Sequence, residues 1–165
     1  MTELIAYQPK FRKETVRRIA EFFGLHSSFL NADAEADCNE AEKTLEDWLE
    51  YPDPLYMIKE NNVVVGFLRI GNRGGSVAWI EDIFVDEQHR RRGIAARAIG
   101  KAEEIIKSDG RYSAICFDVV PRNETALSLY HKLGYDSLSI LTVRKEIYDN
   151  KRDKSIHILG LDYKY

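Results

Sequence analysis

The sequence predicts a mixed α/β fold in which an antiparallel meander is followed by a parallel β-α-β crossover. Three segments rich in β-branched and aromatic residues, 55–60, 62–70 and 76–85, are joined by the short links "NN" and "GNRGG", which suit hairpin turns. A helical pattern over 93–110 then separates the third strand from a strand at 113–120, so these two strands are expected to be parallel neighbours. A length of 165 residues is consistent with one domain, residues 1–165.

Two helices are predicted ahead of the meander, after a first strand at 4–8. The segment 13–24 repeats apolar residues at helical spacing and is expected to stop at Gly24. The segment 39–51 repeats the pattern and is expected to end before Pro52. Both helices are expected to precede the first strand of the meander.

A further helix and two strands are predicted after the crossover. The segment 123–134 has helical spacing, and Asn123 is suited to cap its first turn. The segments 137–147 and 156–163 are predicted as two terminal strands. The strand and helix pattern therefore continues to the end of the chain.

Composition excludes several classes of function. A net charge of −3 and a pI near 5.8 give no global attraction to nucleic acid or to an anionic membrane. The longest apolar runs are far shorter than the roughly 20 residues of a membrane helix, and the first residues lack an apolar signal core. Cys38 and Cys116 are far apart, and the four histidines match no metal-ligand spacing. A cytoplasmic protein without a metal site is expected.

The junction of the third strand with the long helix predicts an anion site. The strand ends near Val85 and the helix begins near Gly93, where the first N–H groups have no internal partners and the helix dipole is positive. Glycine leaves the backbone open to a phosphate. The preceding arginines add positive charge, although an ordinary basic loop is the alternative; they are Arg90, Arg91 and Arg92.

Two motifs carry a resemblance to a known family. Arg90-x-x-Gly93-x-Ala95 resembles the Arg/Gln-x-x-Gly-x-Gly/Ala acyl-CoA signature of the GNAT acetyltransferase superfamily, with alanine where glycine is commoner. The later helix resembles that family's Asn-x-x-Ala-x-x-x-Tyr-x-x-x-Gly-Phe/Tyr pattern, in register at Asn123, Ala126, Tyr130, Gly134 and Tyr135. The order of predicted elements also matches the GNAT fold, and the chain looks most like members that acetylate polyamines or aminoglycosides.

The resemblance implies acetyl-CoA as cosubstrate. The third meander strand, the fourth strand of the family, would hydrogen-bond the pantetheine arm, and the amides at the helix start would hold the pyrophosphate. For the arm to enter, the strands at 76–85 and 113–120 must splay apart, which a bulge near Asp82 to Phe84 would permit. The implied cofactor-binding residues are Ile83, Phe84, Val85, Arg90, Arg91, Arg92, Gly93, Ile94, Ala95, Ala96 and Asn123.

The resemblance also implies the catalytic groups. A primary amine has a pKa near 10, so an enzyme that uses it as a nucleophile must remove a proton. Glu81 is expected to be this base, and Tyr130 the acid that protonates the CoA thiolate. Strand alternation places Glu81 and Asp82 on opposite faces, so only one is expected to serve the site. The structural alternatives are an arginine pair for Glu81 and a core position for Tyr130.

The acceptor is expected to be cationic. Residues 31–53 contain nine acidic residues against Lys43 alone, which would attract a polyamine, an aminosugar or a lysine-bearing peptide. Trp48, Tyr51 and Tyr56 are expected to be exposed nearby for stacking or cation–π contact. The alternative is a solvated acidic helix face.

Two other functions remain open. One is acetylation of a protein N-terminus or lysine, which an open groove beside residues 24–40 would favour over a closed pocket for a small amine. The other is a non-catalytic acyl-CoA-binding module, which the presence of both Glu81 and Tyr130 disfavours. The family often dimerises through its terminal strands, so a homodimer is conceivable, whereas nucleic acid and membrane partners are not expected.

Overall fold

The structure is a computed structural model that describes residues 1–29, 37–147 and 152–165. The chain forms two compact units, Met1–Asp118 and Val119–Tyr165, and the expectation of one domain stays a prediction. Two of the predicted acids, Asp33 and Glu35, and residues 30–36 of the segment beside the predicted groove lie outside the described residues. Within the described ranges, no helix has both the length and the apolar character of a bilayer span.

The first unit contains a five-stranded sheet in the order of the sequence. Neighbouring strands are antiparallel through the first four, and the last pair is parallel, which confirms the predicted mixed sheet with a crossover. The strands are β1 (Thr2–Ala6), β2 (Leu55–Glu60), β3 (Val63–Gly71), β4 (Val77–Val85) and β5 (Ala114–Cys116).

Two predicted strand boundaries were wrong. Strand β1 covers Thr2–Ala6 and not 4–8, and β5 covers Ala114–Cys116 and not 113–120. Residues 117–120 are not part of β5, because the parallel pairing with β4 ends at Trp79 and Cys116. Propensity shows that a segment can be a strand, whereas pairing depends on how close the neighbouring backbone lies.

Three helices connect these strands. They are α1 (Arg12–Phe29), α2 (Cys38–Glu50) and α3 (Ile94–Asp109). Helix α1 continues through Gly24 to Phe29, so the expected stop at this glycine was wrong. An interior glycine costs about 1 kcal/mol relative to alanine, and the edge contacts of Phe22 with the rings of Phe67 and Phe84 help to hold this part of the helix on the sheet.

Helices α1 and α2 cover one face of the sheet. Phe67 and Phe84 stack at a centroid distance of 5.9 Å in the middle of this core. Trp48 belongs to the same core with 8% of its surface exposed, so the expectation that it is available for stacking on a substrate was wrong. The buried members of this core are Val16, Ile19, Ala20, Ala41, Leu45, Trp48, Leu55, Met57, Phe67 and Phe84.

The second unit contains helix α4 (Glu124–Lys132) and a hairpin of strands β6 (Ser155–Ile158) and β7 (Leu161–Lys164). The single predicted strand at 156–163 is therefore two strands, because the backbone turns at Leu159 and Gly160 with positive φ. Residues 137–147 are not a strand, contrary to expectation. Their apolar side chains are exposed, since the described residues offer this segment no partner strand.

Candidate active site

Strands β4 and β5 are paired at one end and separate at the other. The parallel register runs from Val77–Ala114 to Trp79–Cys116 and then ends. On the other side, Ile80 and residues 82–85 of β4 keep their pairing with β3. The region beyond the end of this pairing, between β4 residues 80–85 and the segment 117–118, is called the fork below. Among the described residues no strand pairs with this side of β4 beyond Trp79, and a free strand edge is what an extended arm needs in order to pair with β4.

A β-bulge lies at the base of the fork. Asp82 pairs with Arg69 and Ile80 pairs with Ile70, so Glu81 is the extra residue in β4. This is one residue before the position expected from the sequence. The extra residue changes the direction in which the side chains after Ile80 point, and this decides where the two neighbouring carboxylates lie.

Glu81 and Asp82 lie on the same face of the sheet. Asp82 accepts a hydrogen bond from Arg69 Nε at 2.8 Å, and the Glu81 carboxylate lies 2.5 Å from the point where a Cβ on Gly71 would be. Arg69 and Gly71 are two residues apart in β3 and therefore share a face. The expectation of opposite faces was wrong, because the bulge interrupts the alternation.

Glu81 is held by an arginine. Arg73 Nε donates to Glu81 Oε1 at 2.9 Å and Arg73 Nη2 donates to Oε2 at 2.5 Å, with 11% of the Glu81 side chain exposed. Arg73 Nη1 also donates to Asp118 Oδ2 at 2.7 Å, and its guanidinium lies 3.9 Å from the centre of the Trp79 ring. The hydrogen bonds to Glu81, followed by those to Asp118, raise the pKa of Arg73 further above its usual range.

The arginine pair was an open alternative for Glu81, but the sequence did not identify the arginine. Arg73 belongs to "GNRGG", which was interpreted only as a hairpin turn, and Asp118 was placed inside a strand. A turn arginine and a carboxylate 45 residues apart leave no local sequence signal for their contact. The pairing does not test the role of Glu81 as a base.

Asp82 is a second carboxylate at the base of the fork. Burial raises the pKa of Asp82, while Arg69 opposes this shift and the nearby charge of Glu81 adds to it. Arg69 is shared, because its guanidinium lies 4.8 Å from the centre of the Trp48 ring and 3.7 Å from Asp53. Both carboxylates are largely buried, with 14% of the Asp82 side chain and 11% of the Glu81 side chain exposed, so Asp82 is a rival for any role given to Glu81.

The turn into α3 has the backbone that an anion site requires. Gly93 adopts φ 71° and ψ 9°, the left-handed conformation, at the N-cap of the helix. The first helical hydrogen bond runs from Arg97 N–H to the Gly93 carbonyl at 3.1 Å. The N–H groups of Ile94, Ala95 and Ala96 precede this bond and have no intrahelical acceptor. These donors fit the diphosphate of a CoA molecule.

The arginines before α3 differ in their surroundings. Arg90 folds back on β4, where its Nε donates to the Val85 carbonyl at 2.9 Å and its guanidinium lies 5.3 Å from the Phe84 ring centre. Arg91 and Arg92 are exposed to solvent. Of the three, these two are the ones positioned to approach a phosphate from solution.

Arg97 holds the start of α3 and was missed by the sequence interpretation. Its Nη1 donates to the Arg92 carbonyl at 3.0 Å and its Nε donates to Thr2 Oγ1 at 2.7 Å. The same guanidinium lies 3.4 Å from Glu60 at the end of β2. The loop before α3 is thereby attached to the far edge of the sheet, a contact across 95 residues of sequence.

Asn123 and Tyr130 lie on α4 of the second unit. The Asn123 side chain accepts a hydrogen bond from the Ala126 N–H at 3.2 Å, so the predicted cap is confirmed. Burial raises the pKa of Tyr130 to about 12, and its ring lies 6.4 Å from that of Tyr135 in an edge-on arrangement. The helix therefore presents the two residues at the spacing of the family motif, and their roles stay predictions.

The acidic segment is partly neutralised within the protein. Arg12 binds Glu42 and Glu46 on α2. Asp37 caps α2 by accepting from the Asn39 N–H at 2.7 Å. These contacts favour a structural role for part of the charge. Tyr51 is 65% exposed, whereas burial raises the pKa of Tyr56.

Comparison with known proteins identifies the class and then the family. The fork, the bulge and the uncapped helix start are the features of an acyl-CoA-dependent acetyltransferase fold, and the family described as Acetyltransferase (GNAT) matches residues 19–135. The chain belongs to this family. No curated protein resembles the chain at a significant level.

Solved structures support the fold. YycN of Bacillus subtilis, assigned as an acetyltransferase, is 20% identical with a TM-score of 0.69, covering 90% of this chain and 100% of that one. The aminoglycoside N-acetyltransferase AAC(6')-Iy in complex with CoA is 15% identical with a TM-score of 0.64, covering 90% and 96%. The structure of the same enzyme with the bisubstrate analog CoA-S-monomethyl-acetylneamine is 17% identical with a TM-score of 0.62, covering 88% of this chain and 99% of that one. At these identities the likeness concerns the fold alone.

Proposed function

We propose that this protein transfers the acetyl group of acetyl-CoA to a primary amine of a small cationic acceptor. The observation that carries the proposal is the fork, which opens beside two carboxylates at a bulge and leads along β4 to the open amides at Gly93. An extended thioester and a basic nucleophile therefore have adjoining places on one strand. The aminoglycoside acetyltransferase among the similar folds is consistent with a small-molecule acceptor.

The donor binds along β4. Backbone groups of Ile83, Phe84 and Val85 on the fork side hydrogen-bond the pantetheine arm as an added strand would. The diphosphate lies against the amides from Arg91 through Ala96, and Gly93 leaves space for it. Asn123 adds a contact from α4. The bound donor supplies an activated acetyl group as a thioester.

Glu81 prepares the nucleophile. The acceptor arrives as an ammonium ion, because the pKa of a primary amine lies near 10, and Glu81 takes one proton directly or through water. The amine lone pair then forms a C–N bond with the acetyl carbon as the C–S bond breaks, and the nitrogen loses a second proton to solvent to give the neutral amide. A backbone N–H of residues 83–85 polarises the carbonyl and stabilises the charge that develops on its oxygen.

Tyr130 assists the leaving sulfur. A pKa of about 12 keeps its hydroxyl protonated at neutral pH, as an acid requires. Complete transfer from this group to a thiolate with a pKa near 8.5 is uphill. Tyr130 therefore acts mainly by donating a hydrogen bond to the sulfur as negative charge develops, and solvent completes the protonation.

The first experiment measures the release of free CoA thiol from acetyl-CoA when polyamines, aminoglycosides, amino acids or short peptides are supplied as acceptors. We expect turnover with small polycationic amines and little with peptides. Turnover with peptides alone would replace the proposal by protein acetylation. Tight binding of acetyl-CoA without turnover on any acceptor would replace it by an acyl-CoA-binding module.

The roles of the two carboxylates are separated by variants. Glu81→Gln is expected to lower kcat/KM by roughly 10²–10⁴-fold at neutral pH and less at high pH, where free amine is abundant. Acetyl-CoA affinity should stay unchanged. A larger loss of kcat/KM in Asp82→Asn than in Glu81→Gln would identify Asp82 as the base instead. Glu104→Gln, at an exposed carboxylate paired with Lys101, is the control.

The role of Tyr130 is tested against its neighbouring tyrosine. Tyr130→Phe is expected to lower kcat with little change in the dissociation constant of acetyl-CoA, because only the developing thiolate loses a donor. Tyr135→Phe removes the equivalent hydroxyl from the adjacent ring and is expected to leave kcat near the wild-type value. Equal kcat values for both variants and the wild type would show that Tyr130 has no catalytic role and only packs in the structure.

A further inference from the structure

Arg73 spans the mouth of the fork. It binds Glu81 on β4 through two hydrogen bonds and Asp118, just after β5, through a third, so a single cation joins the two separated strands. Its guanidinium also lies 3.9 Å from the centre of the Trp79 ring. Two carboxylates and an aromatic face are the groups that recognise an organic cation.

The position of this cation coincides with the place where the acceptor amine must stand. Glu81 is the proposed base, so the reactive nitrogen must come within hydrogen-bonding distance of the carboxylate that Arg73 now holds. An ammonium ion approaching the same carboxylate would be repelled by the guanidinium that already fills it. Arg73 must therefore leave Glu81 before an acceptor can react.

The surroundings of Arg73 allow it to leave. Its side chain is 45% exposed, against 11% for Glu81, and it belongs to the turn between β3 and β4. Gly74 and Gly75, which follow it, have positive φ, and nothing lies within 4 Å of a Cβ placed on either one. Movement of this turn breaks surface ion pairs and leaves the packed core intact.

We propose that Arg73 is a resident cation in the acceptor site, and that Glu81, Asp118 and Trp79 select acceptors carrying at least two positive charges. This inference rests on the proposed function and names its substrate class. A diamine displaces Arg73 by placing its reactive ammonium at Glu81 and its second ammonium between Asp118 and Trp79. A monoamine can replace only one of these contacts, so it competes poorly with the arginine.

Removal of Arg73 should improve acceptor binding. If the arginine leaves the site free for about a tenth of the time, its removal lowers the KM for a diamine about tenfold. With Arg73 already replaced by glutamine, Asp118→Asn should act in the opposite direction, because it then removes only a contact to the second ammonium. If Arg73 and Asp118 only stabilised the structure of the site, loss of either residue would raise the KM for the diamine. The opposite signs are the signature of a resident cation.

The experiment compares putrescine with butylamine as acceptors. Wild type should prefer putrescine strongly in kcat/KM, Arg73→Gln should lower the KM for putrescine about tenfold, and Asp118→Asn added to Arg73→Gln should raise it again. Arg73→Lys keeps the charge but loses the planar set of guanidinium donors, so its KM for putrescine should lie between those of wild type and Arg73→Gln. Arg111→Gln is the matched control, because Arg111 likewise pairs with a carboxylate, Asp109, and lies over an aromatic ring, Tyr112.

A binding measurement separates this inference from the proposed function. Calorimetric titration of putrescine into the CoA-loaded protein needs no turnover, and Arg73→Gln should bind more tightly than wild type. An active wild type with an unchanged or higher putrescine KM in Arg73→Gln would overturn the inference and leave the proposed function standing. Inactivity of the wild type on every amine would overturn the function. In that case, equal putrescine affinity in wild type and Arg73→Gln would overturn the inference as well.

Discussion

The buried ion pair between α1 and the end of β4 is expected to be a large contributor to stability. Asp86, 5% exposed, accepts hydrogen bonds from Arg18 Nε and Nη2, both at 2.9 Å. Arg18 is 3% exposed and also donates to the Val64 carbonyl at 2.7 Å. Asp86→Asn leaves the guanidinium buried, with the exposed Glu14 carboxylate, 3.2 Å away, as its remaining charge partner.

The size of the effect follows from burial. Breaking a buried pair by removing one partner costs about 3–5 kcal/mol, because the remaining charge stays desolvated. For a protein of this length, 1 kcal/mol lowers the Tm by about 2–4 °C, so Asp86→Asn should lower it by roughly 6–20 °C. Replacement of both residues, Arg18→Met with Asp86→Asn, should cost less than the sum of the single changes.

The assay is thermal and urea unfolding followed by circular dichroism, with the two single variants and the double variant in one cycle. Glu21→Gln is the control, because the pair of Arg17 with Glu21 is exposed and its loss should cost less than about 1 kcal/mol. A Tm of Asp86→Asn equal to that of Glu21→Gln would refute the reasoning. Additive losses in the double variant would refute it equally.

Three further changes have expected outcomes. Gly93→Ala should weaken CoA binding measured by calorimetry, whereas Gly110→Ala, at the other end of α3 with a similar φ of 73°, should carry the same backbone strain of about 1–2 kcal/mol and leave CoA affinity unchanged. Gly66→Ala places a Cβ 2.1 Å from a carbonyl oxygen of β4 and should cost more than about 3 kcal/mol in urea unfolding; Gly74→Ala, in open space, should not show this clash. Burial raises the pKa of Asp82, so the folded state keeps a proton that the unfolded chain loses near pH 3.9. The stability of wild type relative to Asp82→Asn should therefore fall as pH rises from that value and level off above the raised pKa; a difference that grows with pH would contradict this.

Local patterns were sufficient for much of the fold. The meander between residues 55 and 85 and helices α2, α3 and α4 lie where spacing and turn residues place them, since each depends on neighbours a few positions away. The uncapped helix start at Gly93 is equally local. The resemblance carried by Gly93 and Asn123 then identified the family, which the match over residues 19–135 confirms.

Patterns failed where an element depends on a distant partner. The segment 137–147 has the composition of a strand, and its apolar residues are exposed because no described strand pairs with it. Trp48 looked accessible on an acidic helix, yet α1 and the sheet bury it. In both cases the side chain suits its predicted role, and the presence or absence of a neighbour decides the outcome.

The sequence by itself determined the order of the elements as far as α4, the glycine turn into α3 and the family, because these depend on contiguous residues. Only the tertiary structure decided that the bulge turns Glu81 and Asp82 to one face, and that Arg73 reaches across to Asp118. Register between strands and contacts between carboxylates and distant arginines arise from the folded arrangement of the whole sheet. No short stretch of residues contains them.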